Sequence, residues 1–273
     1  MFVVAISRGS ESASKSLREY LSRELEVPVL LRETVFEEAD KYSIHETGFS
    51  DISFIDRAPS VFERRYYRNK HYLLAFQVAL FELIMKGSCI YEGHLGHYLL
   101  KGLPFILRTR AILSEENRIK LYMKSNNVSY EIASNYVSLV DDRRRHWSEF
   151  LYGMNLEDPK YYDLVINLDY MSVHTAVEII LTALKQAEFN SNDDSMKLMK
   201  NLYLESKASL YLYLEPATRG IEVDINADYH NGSLIVKGIS SVMDSDKSEQ
   251  LIRGVLSKLE KVKVIKFIDS DHK

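Results

Sequence analysis

The chain begins with an apolar segment, a loop of small residues and a lysine followed by a serine. Gly9, Lys15 and Ser16 match the first glycine, the lysine and the serine of the pattern G-x-x-x-x-G-K-[ST], and Ser14 replaces its second glycine. Successive backbone N–H groups in such a loop form a concave anion site, and the next helix adds the positive end of its dipole. This spacing is typical of a loop that binds phosphate groups.

In such a loop the lysine reaches the β- and γ-phosphates of a nucleotide, and the serine hydroxyl ligates Mg²⁺. We therefore predict that Lys15 binds phosphate and that Ser16 also holds the metal. The predicted ligands of the donor nucleotide are Gly9, Ser10, Ser12, Ser14, Lys15 and Ser16. The alternative is a plain strand-to-helix turn whose serines cap the helix.

An acidic residue that could bind a metal ion stands at the end of another apolar segment. Glu92 follows Cys89-Ile90-Tyr91, which reads as a strand, and precedes Gly93. An acid at this place holds Mg²⁺ or a water molecule in other phosphate-loop proteins. The favoured interpretation is a partly exposed residue at a strand end.

Composition narrows the class of protein. The chain has 273 residues, which suits one large domain or two modest ones, and its net charge of −4 gives no overall attraction to nucleic acid. Cys89 is the only cysteine, so a disulfide within the chain is excluded. There is neither a signal-peptide pattern nor a run of about eighteen apolar residues, so we expect a cytoplasmic protein without a membrane span.

Strand-like and helix-like segments alternate along the first 187 residues, which contain the candidate site residues. This alternation predicts an α/β fold, a three-layer parallel sheet with helices on both faces. The predicted strands are 2–7, 27–31, 88–92, 103–110 and 163–168. The predicted helices are about 14–25, 33–43, 58–86, 94–101, one capped by Ser114, 129–152 and 173–186, with a turn-rich segment at 44–57.

The polar segment 190–195 is the best candidate for a domain boundary. We expect a first domain at 1–190, a linker and helix start at 191–205, and a small α+β domain at 206–273. Asn231-Gly232 between alternating apolar residues predicts a β-hairpin, followed by a helix at about 246–260 and a strand at 262–268.

Ordered motifs in residues 1–187 resemble the cytidylate kinase-like family of P-loop nucleoside monophosphate kinases. The matching segments are Ile6-Ser7-Arg8, Arg32-Glu33, Cys89 to Leu100, Glu116-Asn117-Arg118-Ile119, Val140-Asp141 with Arg144, Asp158-Pro159, and Tyr162 to Asn167. The chain departs from the family pattern at Ser14, Leu31, His94, Leu95 and His97.

The resemblance implies phosphoryl transfer from ATP, with Mg²⁺, to a nucleoside monophosphate, of which CMP is the first candidate. It implies catalytic roles for Lys15, Arg118 and Arg144. The implied acceptor-binding residues are Arg32, His94, Arg143 and Arg145. Arginine forks suit phosphate oxygens, and phosphoryl transfer depends mainly on positioning and charge neutralisation.

Residues 206–273 are similar to a BON domain, on the strength of the segment Asn231 to Gly238. Three hypotheses about function therefore stay open. The leading one is a phosphotransferase that acts on a nucleotide or another small phosphate acceptor. The second is an inactive nucleotide-binding regulator whose C-terminal domain engages a partner or forms a homodimer. The third is a purely structural interaction module, which would bind no nucleotide.

Overall fold

Five short apolar segments form one parallel β-sheet in the order β2-β3-β1-β4-β5. The computed structural model describes residues 1–8, 11–42, 71–93, 96–152, 155–238 and 245–268. The strands are β1 (Val3–Arg8), β2 (Val29–Leu31), β3 (Cys89–Glu92), β4 (Ile106–Ile112) and β5 (Leu164–Asn167). All five fall where the sequence predicts strands, and the predicted α/β class is confirmed.

The central strand shows why this sheet is covered on both faces. In β1, Val3 and Ala5 pack into one apolar cluster, whereas Val4 and Ile6 pack into another. A strand buried on both sides needs a continuous apolar run rather than an alternating one. Residues 2–6 form such a continuous apolar run.

The helices of this part lie around the sheet. They are α1 (Glu11–Leu25), α2 (Arg32–Ala39), α3 (His71–Ile84), α4 (Gly96–Leu99), α5 (Glu115–Asn126), α6 (Tyr130–Tyr152) and α7 (Val173–Leu184). The predicted cap is confirmed, because the Ser114 hydroxyl accepts a bond of 3.4 Å from the Asn117 N–H. The predicted turn-rich segment 44–57 and the first part of the predicted helix 58–86 lie outside the described residues.

The C-terminal part forms a separate three-stranded sheet in the order β6-β7-β8. Its elements are α8 (Asp193–Leu214), β6 (Asp224–Asp228), β7 (Ser233–Lys237), α9 (Ser245–Leu256) and β8 (Val264–Ile268). The predicted hairpin is confirmed, since β6 and β7 pair antiparallel and Gly232 has a φ of +65°. Glycine adopts this backbone region without the steric cost that other residues bear.

Helix α8 joins the two parts. Its residues Met199, Tyr203 and Leu210 belong to the apolar cluster beneath α3, whereas Leu204 and Ala208 belong to the core of the C-terminal sheet. Asn192 and Ser195 form a capping box that fixes where the helix begins. The segment 191–205 is therefore mostly helical, and the division into domains at 190 and 206 stays a prediction.

None of the helices in the described ranges is long and apolar enough to cross a membrane.

Candidate active site

The carboxyl ends of β1, β3 and β4 meet at one edge of the sheet. Open α/β sheets bind ligands at this edge. Gly9 and Ser10, which connect β1 to α1, lie outside the described residues, and so does His94, which follows β3. The site is therefore described from the residues around these connections.

Helix α1 begins at Glu11, three residues before the start that the sequence predicts. None of the residues from Glu11 to Ser14 is glycine, and glutamate and alanine favour a helix, so this segment adopts helical geometry. Only Gly9 and Ser10 separate strand from helix. The first backbone N–H groups of α1, including that of Ser12, have no partner within the helix and carry the positive end of its dipole.

Three positions of the phosphate-loop pattern, Ser14, Lys15 and Ser16, lie in the first two turns of α1. Ser14 is fully buried, whereas Lys15 and Ser16 are exposed. The Lys15 ammonium lies 3.9 Å from a carboxylate oxygen of Glu19, and about 60% of each side chain is exposed. Such a pair contributes little to stability, so Lys15 loses little by turning to a phosphate group.

Arginine side chains from two helices line a cleft of about 170 Å³ near Ser7 of β1. Arg118 of α5 and both Arg144 and Arg145 of α6 contribute to it, but Arg143 does not line it. Ser7, which stands two residues before Gly9 in the sequence, is the residue of β1 that lines the cleft. The structure thus brings together three of the five predicted arginines.

Arg118 is held in place by an acid on the neighbouring helix. Its two terminal nitrogens each lie 2.6 Å from one carboxylate oxygen of Asp141. Two parallel bonds of this kind fix the plane of a guanidinium group as well as its position. Asp141 is therefore a positioning residue, and it also lines the cleft.

Arg110 also lines the cleft, although no sequence motif singles it out. It lies near the carboxyl end of β4, where its Nη1 donates to the carbonyl of Leu156 at 2.7 Å. The Tyr162 hydroxyl donates to the same carbonyl at 2.9 Å, and burial raises the pKa of this tyrosine. An arginine near the end of a predicted parallel strand is the signal that could have revealed it.

Glu92 is buried, so its interpretation as a partly exposed strand-end residue is wrong. Its side chain is fully inaccessible and forms an ion pair with Arg18 of α1. The second carboxylate oxygen, Oε1, has no hydrogen-bond partner among the described residues. Mg²⁺ prefers oxygen ligands and needs only one or two protein carboxylates beside phosphate and water. A free buried carboxylate oxygen at this edge fits that requirement.

Arg32 lies apart from the arginine cleft. It begins α2 directly after β2, at the opposite side of β3, and only 4% of it is exposed. Its Nη2 lies 3.1 Å from a carboxylate oxygen of Glu33. The nearby Tyr72 has its pKa raised by burial, an effect that the charge of Arg32 partly offsets. The predicted acceptor side and the arginine cleft are thus two separate places on the same edge.

Comparison with known proteins identifies the family. The model of the cytidylate kinase-like family matches residues 3–170, which is more than half of the chain. The chain belongs to the cytidylate kinase-like family. A curated cytidylate kinase from Pyrobaculum arsenaticum is 25% identical over 180 residues, which span 66% of this chain and 90% of that relative.

A solved structure shows the same fold. The chain is similar to an uncharacterized protein from Eubacterium ventriosum, with a TM-score of 0.51 and 17% identity over 67% of this chain and 98% of the other. A shikimate kinase from Bacteroides thetaiotaomicron matches with a TM-score of 0.37 and 9% identity over 68% of this chain and 99% of that chain. The kinase-like part of the chain is thus the part that relatives share.

Proposed function

We propose that this member of the family transfers the γ-phosphoryl group of ATP to a small phosphate-bearing acceptor, with CMP as the first candidate. One observation carries the proposal: arginines from β4, α5 and α6 converge on a cleft beside the end of β1. Fixed positive charges of this kind stabilise the charge that develops on a transferring phosphoryl group.

Each group of residues has its own proposed role, set by its place in the fold. The N–H groups at the start of α1, with Lys15, would hold the donor phosphates. Arg118 and Arg144, with Arg110, would neutralise the transferring group from the other side of the cleft. Arg32 would bind the acceptor phosphate. Mg²⁺, held by Glu92 with Ser16 as the second predicted ligand, would supply further charge neutralisation on the donor phosphates.

Calorimetric titration with ATP and Mg²⁺ tests the donor site. We expect binding by the wild-type protein and a large loss of affinity in Lys15→Ala. Lys120→Ala is the matched control, because Lys120 also forms an exposed pair with a glutamate one turn away on a helix. Equal affinities in all three proteins would refute the role of Lys15, and no binding by the wild-type protein would refute the donor site.

A nucleotide-binding regulator without catalysis is the second candidate. The early start of α1 favours it, because a connection of two residues leaves little backbone to surround a triphosphate. In this hypothesis the cytoplasmic protein senses nucleotide, and its BON-like C-terminal part binds a partner or a second copy of the chain. Product formation separates the candidates, since a regulator binds ATP but yields no phosphorylated acceptor.

A further inference from the structure

The C-terminal part contains a second cavity, of about 400 Å³, far along the chain from the arginine cleft. It lies between the first turns of α8, the turn that joins β6 to β7, and the segment before β8. Lys197 and Lys200 come from α8, Lys261 from the segment before β8, and His230 from the turn. A cavity of this size is within the range that accommodates small molecules.

Positive groups outnumber the acids around this cavity. Three lysines face two aspartates, Asp193 and Asp228. Asp228 is already engaged by the turn, since its oxygens accept bonds from the backbone N–H of Asn231 at 3.2 Å and from the Asn231 side chain at 2.6 Å. These bonds lower the pKa of Asp228, and the charge of Lys197 lowers it further. The three lysines and two aspartates together leave a net positive charge around the cavity.

The backbone around the cavity is fixed by a close contact. The N–H of Lys263 donates to the carbonyl of Gly232 at 2.7 Å, and a Cβ on Gly232 would lie only 2.3 Å from the carbonyl oxygen of Lys261. The Lys261 ammonium lies 4.7 Å from the centre of the Tyr229 ring. The segment that bears Lys261 is thus held against the turn before any ligand binds, which lowers the entropic cost of binding.

We propose that this cavity is a second ligand site, which binds a small phosphate-bearing anion through Lys197, Lys200 and Lys261. Ammonium groups form charge-assisted hydrogen bonds to phosphate oxygens. The site is separate from the arginine cleft, and it extends the proposed function without depending on it.

Direct contacts lead from this cavity to the acceptor side of the kinase-like part. The Tyr229 ring packs on Tyr203 at 6.3 Å, and the Tyr203 hydroxyl donates to Glu82 of α3 at 2.8 Å. Glu82 accepts a second bond of 2.8 Å from Tyr42, in the 3-10 turn that continues α2. These contacts connect the cavity to the turn that follows α2, the helix that begins with the predicted acceptor residue Arg32.

The binding test uses the full chain and titrates inorganic pyrophosphate, and separately ATP, by calorimetry. In the variant Lys197→Gln/Lys200→Gln/Lys261→Gln, the affinity of the cavity for each ligand should be lower by roughly tenfold or more. Binding of that ligand at the cavity should therefore disappear from the titration. The matched control, Lys247→Gln/Lys258→Gln/Lys266→Gln, removes three exposed lysines of the same part that lie outside the cavity. It should bind as the wild-type protein does.

Identical affinity and stoichiometry in the wild-type protein and the cavity variant would overturn the proposal, whether or not the chain proves to be a kinase. A lipid headgroup carries the same phosphate chemistry, so sedimentation with phosphatidylglycerol vesicles is the second arm. Vesicle binding that depends on the three lysines, without binding of pyrophosphate or ATP, would overturn the assignment to a small soluble ligand.

Hydrogen exchange tests the contact route. Pyrophosphate should slow amide exchange in the turn Asp40–Tyr42 in the wild-type protein but not in the cavity variant. Equal protection in both proteins, or none in either, would refute the link to the acceptor side.

Discussion

Replacing Glu92 by glutamine should destabilise the protein strongly, because it leaves Arg18 without its charged partner. The Glu92 side chain is fully buried and that of Arg18 is only 13% exposed, so neither charge is compensated by bulk water. Removal of one partner from a buried ion pair costs about 3 to 5 kcal/mol. Since Arg18 keeps some contact with solvent, we expect a loss of about 3 kcal/mol, the lower end of that range.

The assay is thermal unfolding at neutral pH without divalent cations, so that metal binding does not contribute to stability. For a chain of this size, each kcal/mol shifts the melting temperature by about 2 to 4 °C. The expected shift for Glu92→Gln is therefore about 6 to 12 °C downward.

A double-mutant cycle separates the ion pair from other effects of the substitution. Arg18→Met alone leaves a buried carboxylate and should be as harmful as Glu92→Gln. The loss of unfolding free energy in the double variant should be smaller than the sum of the two single losses by about 2 kcal/mol, within the range for residues in contact. Additive losses, or a single loss below about 0.5 kcal/mol, would show that the pair does not hold α1 to β3.

Three further predictions concern Arg110 of the cleft, Glu82 of α3 and Gly232 of the turn between β6 and β7. Arg110→Gln and Arg108→Gln should both lower stability, because each arginine donates hydrogen bonds to backbone carbonyls. Only Arg110 lines the cleft, so only Arg110→Gln should also lower kcat/KM for phosphoryl transfer by the folded enzyme, by about tenfold or more. Burial raises the pKa of Glu82, but hydrogen bonds from one lysine and two tyrosines outweigh it and hold this pKa below 4.5. The stability that ionised Glu82 contributes is present above pH 4.5 and is lost as the pH falls through its folded pKa. The melting temperature of Glu82→Gln should therefore fall less than that of the wild-type protein between pH 5 and pH 3. Gly232→Ala should cost more stability than Gly238→Ala. Both glycines have a positive φ, which costs a residue with a side chain about 1 kcal/mol, but within the described ranges only a Cβ on Gly232 would clash with a backbone carbonyl. Equal melting temperatures would contradict the clash.

Most of the fold is predictable from local patterns. The buried strand β1 follows from a continuous apolar run, and the β6–β7 hairpin follows from Asn231-Gly232 between alternating apolar residues. Each of these signals depends on residues that are close together in the sequence. Short-range steric and burial preferences are enough to fix such elements.

The site is only partly predictable, because its remaining features depend on distant contacts. The burial of Glu92 results from an arginine 74 positions earlier in the chain. The role of α8 depends on two opposite apolar faces that pack against different sheets, which a single period of apolar residues does not reveal. The start of α1 at Glu11 reflects helix propensity in a segment where the family pattern suggests a loop.

The positions of Gly9, Ser10, Ser12 and His94 as ligands stay predictions, as do the roles assigned to Lys15, Ser16 and the arginines. The cleft gives these predictions a common location. It does not depend on the phosphate loop alone, because Arg110, Arg118 and Arg144 come from three separate elements.

Transfer of labelled γ-phosphate from ATP to CMP, by the wild-type protein and by Arg118→Met, tests the central claim most directly. We expect labelled CDP with the wild-type protein and a loss of about a hundredfold or more in rate with the variant, while ATP still binds. Equal rates in both proteins would contradict the role of the arginine cleft. Tight ATP binding by the wild-type protein without labelled product, from CMP or any other nucleoside monophosphate, would contradict catalysis and favour the regulator.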